Sequence, residues 1–244
     1  DFCLSRGLGD VYKRQCLMLA AMPVMAAYTG RVYVDKNKNG VFDQSEKPLA
    51  GIKVSDGLNV VETAADGSFT LPGLERERFI FITTPSGYKT FNRHYHKIEK
   101  KQSGYDFGLI PYSGRIRKNG SHRYIHITDT EIFNTENHAD WVNNVRDYAR
   151  NEQAAFIIHT GDICYEKGLK AHIKLMNTEN MDCPVFYCIG NHDLVKGKYG
   201  EELFESIYGP VYYSFDAGNV HYIVTPMPGG DHAPGYLSLI HISE

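Results

Sequence analysis

Ala155-Phe156-Ile157-Ile158-His159-Thr160-Gly161-Asp162 decides the fold. An apolar, β-branched run that ends in Gly-Asp reads as a buried strand giving way to a loop that carries a carboxylate. The plan recurs on either side. Tyr124-Ile125-His126-Ile127 leads into Asp129-Thr130-Glu131, and Val185-Phe186-Tyr187-Cys188-Ile189 leads into Gly190-Asn191-His192-Asp193. Between these runs the period changes. Trp141, Val142, Val145, Tyr148 and Ala149 recur at helical spacing and predict an amphipathic helix over 136–151. Lys167 to Met176, with Leu169, Ile173 and Met176 on one side, predicts a second helix, and Glu201 to Tyr208 a short third. Strands that alternate with helices build βαβ units. In open α/β sheets, ligands bind where the strands end. Carboxylates, an amide oxygen and a histidine therefore gather on one rim.

Outward from this core, Tyr212 to Val224 reads as a hairpin, inside an extended stretch of 211–225. Residues 28–110 alternate differently. Val32 and Val34, Ile52 and Val54, and Phe69 and Leu71 keep period-two faces, with Asp56-Gly57 and Asp66-Gly67 as tight turns. This predicts a small all-β sandwich. Residues 111–120, with Pro111, Gly114, Asn119 and Gly120, read as linker.

One stretch of the β region carries its own motif. Asp35-Lys36-Asn37-Lys38-Asn39-Gly40-Val41-Phe42-Asp43-Gln44-Ser45-Glu46 matches the twelve-position calcium loop. Oxygen side chains fall at positions one, three, five, nine and twelve (Asp35, Asn37, Asn39, Asp43, Glu46). Val41 offers its carbonyl at position seven, and Gly40 makes the sharp turn at six. A strand, Gly30 to Val34, precedes it, so the context is not an EF-hand. The expected role is structural calcium; the plain alternative is an Asn-Gly-rich turn without metal.

The order Asp-x-Glu, Gly-Asp, Gly-Asn-His-Asp over roughly 120–236 resembles the calcineurin-like metallophosphoesterases, and the segment before 110 resembles the small β-domain ahead of some secreted bacterial members. The resemblance implies a partial four-layer α/β/β/α sandwich behind the β-domain. It also implies two divalent metal ions (Mn, Fe, Zn or Mg). Asp162 would bridge them, Asp129 and residue 131 would hold the first, and Asn191 the second. His192 would stand beside the phosphate as general acid or electrostatic stabiliser. Asp193 would orient His192, unless it caps a helix. Two departures stand out. The family carries His where this chain has Glu131, and the family's later Gly-His-x-His string is absent. As a ligand, Glu131 would tilt the pocket from Zn toward Mn, Fe or Mg; otherwise it faces solvent or a base. His126, His159 and His221 read as structural histidines rather than ligands, and His232 lies on a loop of unassigned role.

The 244 residues allow one large domain or two small ones, and a net charge of −3 leaves no basic patch for nucleic acid. Residues 16–27 form an apolar run of twelve, too short to span a bilayer and of signal-peptide length, behind Lys13 and Arg14. Residues 1–15 and 237–244 fit neither domain and read as translated adapter, so the chain is expected to be a fragment. Cys164, Cys183 and Cys188 show no zinc spacing and read as buried thiols. The expectation is a secreted, periplasmic or cell-surface bacterial hydrolase of phosphoesters, with a small-molecule or lipid-headgroup substrate. The alternative is a non-catalytic surface or carbohydrate/protein-binding module with a degenerate metal site.

Overall fold

The computed structural model describes residues 27–73, 78–102, 104–113, 115–163, 165–196 and 200–225. The signal-like run before Ala27, Cys164, His232 and the segments 1–15 and 237–244 lie outside the described residues. The protein is a mixed α/β fold, rich in strands and built from several sheets.

Among the described residues the first half holds nine strands: β1 Ala27–Val34, β2 Lys47–Pro48, β3 Lys53–Ser55, β4 Val60–Glu62, β5 Ser68–Pro72, β6 Phe79–Ile82, β7 Tyr88–Thr90, β8 Tyr95–Lys97 and β9 Phe107–Pro111. They form two sheets. One runs β2-β1-β9-β7 with β5 also paired to β1; the other runs β4-β3-β6-β8. Val32, Leu71, Ile80, Ile82, Phe107 and Leu109 close a common apolar cluster between them. The turn Asp66-Gly67 holds Gly67 at φ 77°, and its N–H donates to Ala64 O (2.9 Å). The alternation expected on β1 is incomplete. Tyr33 is as buried as Val32 and Val34, because Phe42 of the 35–46 loop covers it edge-on at 5.2 Å.

The second half runs β10 Tyr124–Ile127, α1 Ala139–Asn151, β11 Phe156–His159, α2 Tyr165–Leu175, β12 Val185–Tyr187, a 3-10 turn Asn191–Asp193, α3 Glu202–Tyr208, and the hairpin β13 Tyr213–Ala217 with β14 Val220–Val224. Strands β10-β11-β12 are parallel and adjacent, with Ile125 level with Ile157 and Ile157 level with Val185. One face packs Ile157 and Val185 with Val142, Ala149, Ala171 and Met176 of the helical layer. The other packs Phe156 and Phe186 onto Phe215 of β13, whose ring stacks on Phe186 at 3.5 Å.

Three expectations need correction. The first helix starts at Ala139 rather than 136, because Asn134 Oδ1 draws the Asn137 N–H into a turn. Trp141 and Tyr148 do not join its buried face; they are 41% and 60% exposed. His126 is an exposed residue of β10, not a core histidine, and its Nε2 meets Thr160 Oγ1 at 2.7 Å.

Strand β6 belongs to two cores. Ile80 and Ile82 face the first-half cluster, while Phe79 and Phe81 pack with Tyr95, Tyr212, Tyr213 and Phe215 in the second. All four residues are buried in consequence. Past its end, Asp216 N–H donates to Thr84 O (2.8 Å), and the Thr83 and Ser214 hydroxyls meet at 2.9 Å. The two halves therefore meet along a packed seam.

Candidate functional site

Strands β10, β11 and β12 point the same way, so the loops that leave them emerge at one edge. Backbone hydrogen bonds then tie the loops together. Thr160 N–H donates to Ile127 O (2.9 Å), Asp129 N–H to Gly161 O (3.1 Å), and Ile132 N–H to Ile163 O (3.2 Å). The third loop joins through carboxylates. Asp162 Oδ1 accepts the His192 N–H (3.1 Å), and Asp193 Oδ1 accepts the Ile163 N–H (2.9 Å).

This interlock explains the glycines of both motifs. A Cβ on Gly190 would run into the backbone N and Oδ1 of Asp162, and one on Gly161 would strike the backbone of Gly190. Gly161 also sits at φ 100°. Three non-glycine residues adopt left-handed backbone on the same rim: Asp129 (φ 54°), Glu131 (φ 44°) and Asp162 (φ 52°). Such conformations cost free energy and persist only where surroundings enforce them.

The proposed site residues fall out as follows. Asp129 is exposed, and its Oδ2 accepts the Thr128 hydroxyl at 2.6 Å. Asp162 is half-buried between the loops. Glu131 is exposed, with Oε1 3.8 Å from His192 Nδ1. Asn191 is exposed at the start of the 3-10 turn. His192 is half-buried, its ring stacked on Tyr165 at 5.3 Å and 13°. Asp193 is fully buried, and its carboxylate accepts the N–H groups of Gly190 (2.9 Å) and Ile163. Asp193 is not the N-cap, which is Gly190, but the third residue of the 3-10 turn, whose carboxylate reaches back to the cap N–H and staples the loops together.

Two neighbours outside the sequence motifs belong to the site. Tyr165, at φ 24°, stacks on His192, and no sequence signal marks it. His159 was read as a core histidine and is fully buried, yet it works on the rim. Its Nδ1 accepts the Gly161 N–H (3.2 Å), so the ring proton sits on Nε2, which donates to Thr130 Oγ1 (3.0 Å). One neutral ring thus joins the residue between Asp129 and Glu131 to the residue before Asp162. Burial lowers its pKa to about 4 and keeps it neutral. Behind it, Tyr208 O–H donates to Leu169 O (3.0 Å), so His172 Nδ1–H donates to Tyr208 Oη (3.0 Å).

The donor chemistry suits hard divalent cations, which take carboxylate and amide oxygens. His192 Nδ1 is buried without a hydrogen-bond partner among the described residues, 3.8 Å from Glu131 Oε1. Among the described residues, however, no three His, Cys, Asp or Glu side chains converge as a finished metal cluster. The oxygens share a rim; their final approach to a metal is not built in.

Comparison with known proteins accounts for both halves. The family model described as calcineurin-like phosphoesterase matches residues 122–241, and that described as N terminal of calcineurin-like phosphoesterase matches 36–111. Serine-aspartate repeat-containing protein D of Staphylococcus aureus strains Newman and MW2 is 38% identical over 64 residues. That match covers 23% of this chain and only 5% of each relative's length.

Proposed function

The chain belongs to the calcineurin-like phosphoesterases, and from that premise we propose that the rim after β10, β11 and β12 hydrolyses a phosphate ester. The family supports metal-dependent phosphoester hydrolysis in general. The observation that carries the reading here is the interlock of Asp162, His192 and Asp193 across two loops. It sets a carboxylate, an imidazole and the flanking oxygens on one edge.

Asp129, Glu131, Asp162 and Asn191 would hold two divalent metals (Mn, Fe, Zn or Mg). Such metals, when bound, activate water near neutral pH and offset phosphoryl charge. Our reading makes Glu131 a ligand in place of imidazole and so favours Mn, Fe or Mg over Zn. The protein's own residues supply the rest. His192, held by its N–H on Asp162 and by the Tyr165 ring, donates a proton to the leaving oxygen or stabilises its charge. Asp193 fixes the loop that presents His192. His159 holds Thr130 and Gly161 in register. The substrate is read as a small-molecule or lipid-headgroup phosphoester. We place the catalytic half in a partial four-layer α/β/β/α sandwich behind an all-β sandwich. The protein is read as exported to the periplasm, cell surface or exterior, on the strength of the apolar run 16–27. Among the described residues, no helix is long and apolar enough to cross a membrane.

A second reading has its own support. Glu131 stands where the family has His, and among the described residues no three-donor cluster is formed. On that view the rim is degenerate and the chain is a binding module. The test is turnover of aryl phosphate mono- and diesters by the full chain with Mn, Mg, Fe or Zn, beside metal binding by calorimetry. Turnover abolished by Asp162→Asn supports the hydrolase. Metal bound without turnover supports the degenerate site, and neither metal nor turnover would sink both metal readings.

A further inference from the structure

We infer that the Asp35–Glu46 loop is a calcium site, separate from the phosphoesterase rim, that fastens the first half of the protein. The loop lies between β1 and β2, at the far end of the chain from Asp162 and His192.

Its side-chain oxygens are already engaged with the loop's own backbone. Asp35 accepts the N–H groups of Asn39 (3.2 Å) and Gly40 (2.9 Å); Asn37 Oδ1 accepts Asn39 N–H (3.1 Å); Asn39 Oδ1 accepts Val41 N–H (2.8 Å); Asp43 Oδ1 accepts Ser45 N–H (3.0 Å). Glu46 closes the ring, taking Lys36 N–H (2.9 Å) on one oxygen and Asp43 N–H (3.3 Å) on the other. Asn37 Nδ2 reaches Asp43 Oδ2 at 3.0 Å across the loop. Positions one, three, five, nine and twelve are thus all tied into one loop by its own backbone, though among the described residues the three carboxylates do not meet as a finished cluster. Ligation would exchange the Asn37–Asp43 bond for a shared cation.

Two further observations call for positive charge. Asp35 and Glu46 are buried carboxylates, and among the described residues no cationic side chain lies within ion-pair distance of them or of Asp43. Arg31 lies over the Phe42 ring (4.5 Å) and leans to Asp66 (3.9 Å), and Lys36 acts on Asp43 without forming an ion pair. Independently, Tyr33 is 0% exposed and its Oη has no hydrogen-bond partner among the described residues. Burial, then the charges of Asp35 and Glu46, hold that phenol protonated. A polar atom so placed is costly to leave unsatisfied, and it stands against the loop's acidic side. Buried uncompensated charge is likewise expensive. A bound cation would offset the carboxylate charge that the backbone N–H groups only partly balance, and a water in its shell would give the Tyr33 hydroxyl a partner. Six or more oxygen ligands at flexible spacing suit calcium; magnesium demands a tighter octahedron than this loop offers.

The experiment measures the melting temperature of the full chain in EDTA, in about 5 mM calcium chloride and in about 5 mM magnesium chloride, with calcium titration by calorimetry. Calcium is expected to raise the midpoint by about 2–9 °C for a dissociation constant of about 0.1–1 mM, with little effect of magnesium. Glu46→Gln abolishes the shift, and Asp162→Asn keeps it in full. Should Glu46→Gln fail to fold, Asn39→Asp serves: adding a carboxylate at an exposed loop position tightens calcium roughly threefold to tenfold if that position is a ligand. Equal midpoints in calcium and EDTA, a shift that Glu46→Gln retains, or a calcium affinity unchanged or weakened by Asn39→Asp each overturn the site. A shift lost only in Asp162→Asn assigns the calcium to the rim and also overturns it.

Discussion

The rim after β10–β12 and the seam between the two halves are both dense with contacts, but of opposite kinds. At the rim, residues far apart in sequence are joined by polar bonds, such as Asp162 to His192 and His159 to Thr130. Several candidate donors, Asp129, Glu131 and Asn191, remain exposed there. At the seam, rings do the joining: Phe81 meets Tyr212 edge-on at 5.9 Å, and Phe186 stacks on Phe215. Buried apolar area stabilises in proportion to its extent, whereas a net hydrogen bond contributes only about 1 kcal/mol. The seam therefore governs whether the protein is folded, and the rim governs what the folded protein does.

The largest effects separate the two. His192→Asn should lower kcat by about 10²–10⁴-fold, the usual worth of a placed general acid, and leave the melting temperature within about 2 °C. Phe81→Ala should do the reverse. It removes a ring that is 1% exposed and costs about 3–5 kcal/mol of stability, with kcat per folded molecule unchanged. Steady-state kinetics and thermal unfolding on both variants check this; a joint loss in either would erase the distinction. Next comes His159→Phe. It keeps the volume of the ring but removes both hydrogen bonds, and should cost about 10–100-fold in metal affinity or kcat. His159→Gln, able to donate to Thr130, should recover part of that loss. Equal behaviour of the two variants would mean that His159 serves packing alone.

Much of this arrangement was legible in the chain and some was not, for physical reasons. The runs before Asp162 and Asn191 announce strands because burial on both faces demands apolar residues throughout; the run before Asp129 keeps only Ile125 and Ile127 half-buried, with Tyr124 and His126 exposed. Gly161 and Gly190 announce the interlock, because no side chain fits there. Phe79-Ile80-Phe81-Ile82 carries a legible signal too: four apolar residues in succession mark a strand covered on both faces, here by two different cores. Trp141 and Tyr148 misled because periodicity reports a helical face, not what covers it. The left-handed backbone at Asp129, Glu131 and Asp162 has no sequence signature, since only long-range bonds enforce it. The partners of His159 and the ring beside His192 were hidden for the same reason.

The smallest expected effect sharpens the contrast through pH. On the seam side, Glu205 of α3 is buried, and burial raises its pKa to about 7 against the pull of Arg78 (3.1 Å) and Lys97, with Glu201 and Glu202 adding to the rise. A carboxyl whose folded pKa is raised stabilises most when protonated, so its contribution is present below about pH 4.5 and lost as pH rises through 7. Behind the rim, His172 has the opposite sign. Burial and then the neighbouring His159 lower its pKa. The folded protein cannot take the proton that the unfolded chain binds, so stability falls as pH drops below about 6.5. Glu205→Gln should therefore gain about 1–2 kcal/mol at pH 8, part of the shift being offset by the lost Arg78 pair, and gain nothing near pH 4. His172→Phe should flatten the acid limb below pH 6.5 and leave the alkaline limb alone. Urea unfolding of both variants at intervals from pH 4 to 8 measures it. If Glu205→Gln also flattens the acid limb, one coupled network, not two independent regions, sets the stability of this protein.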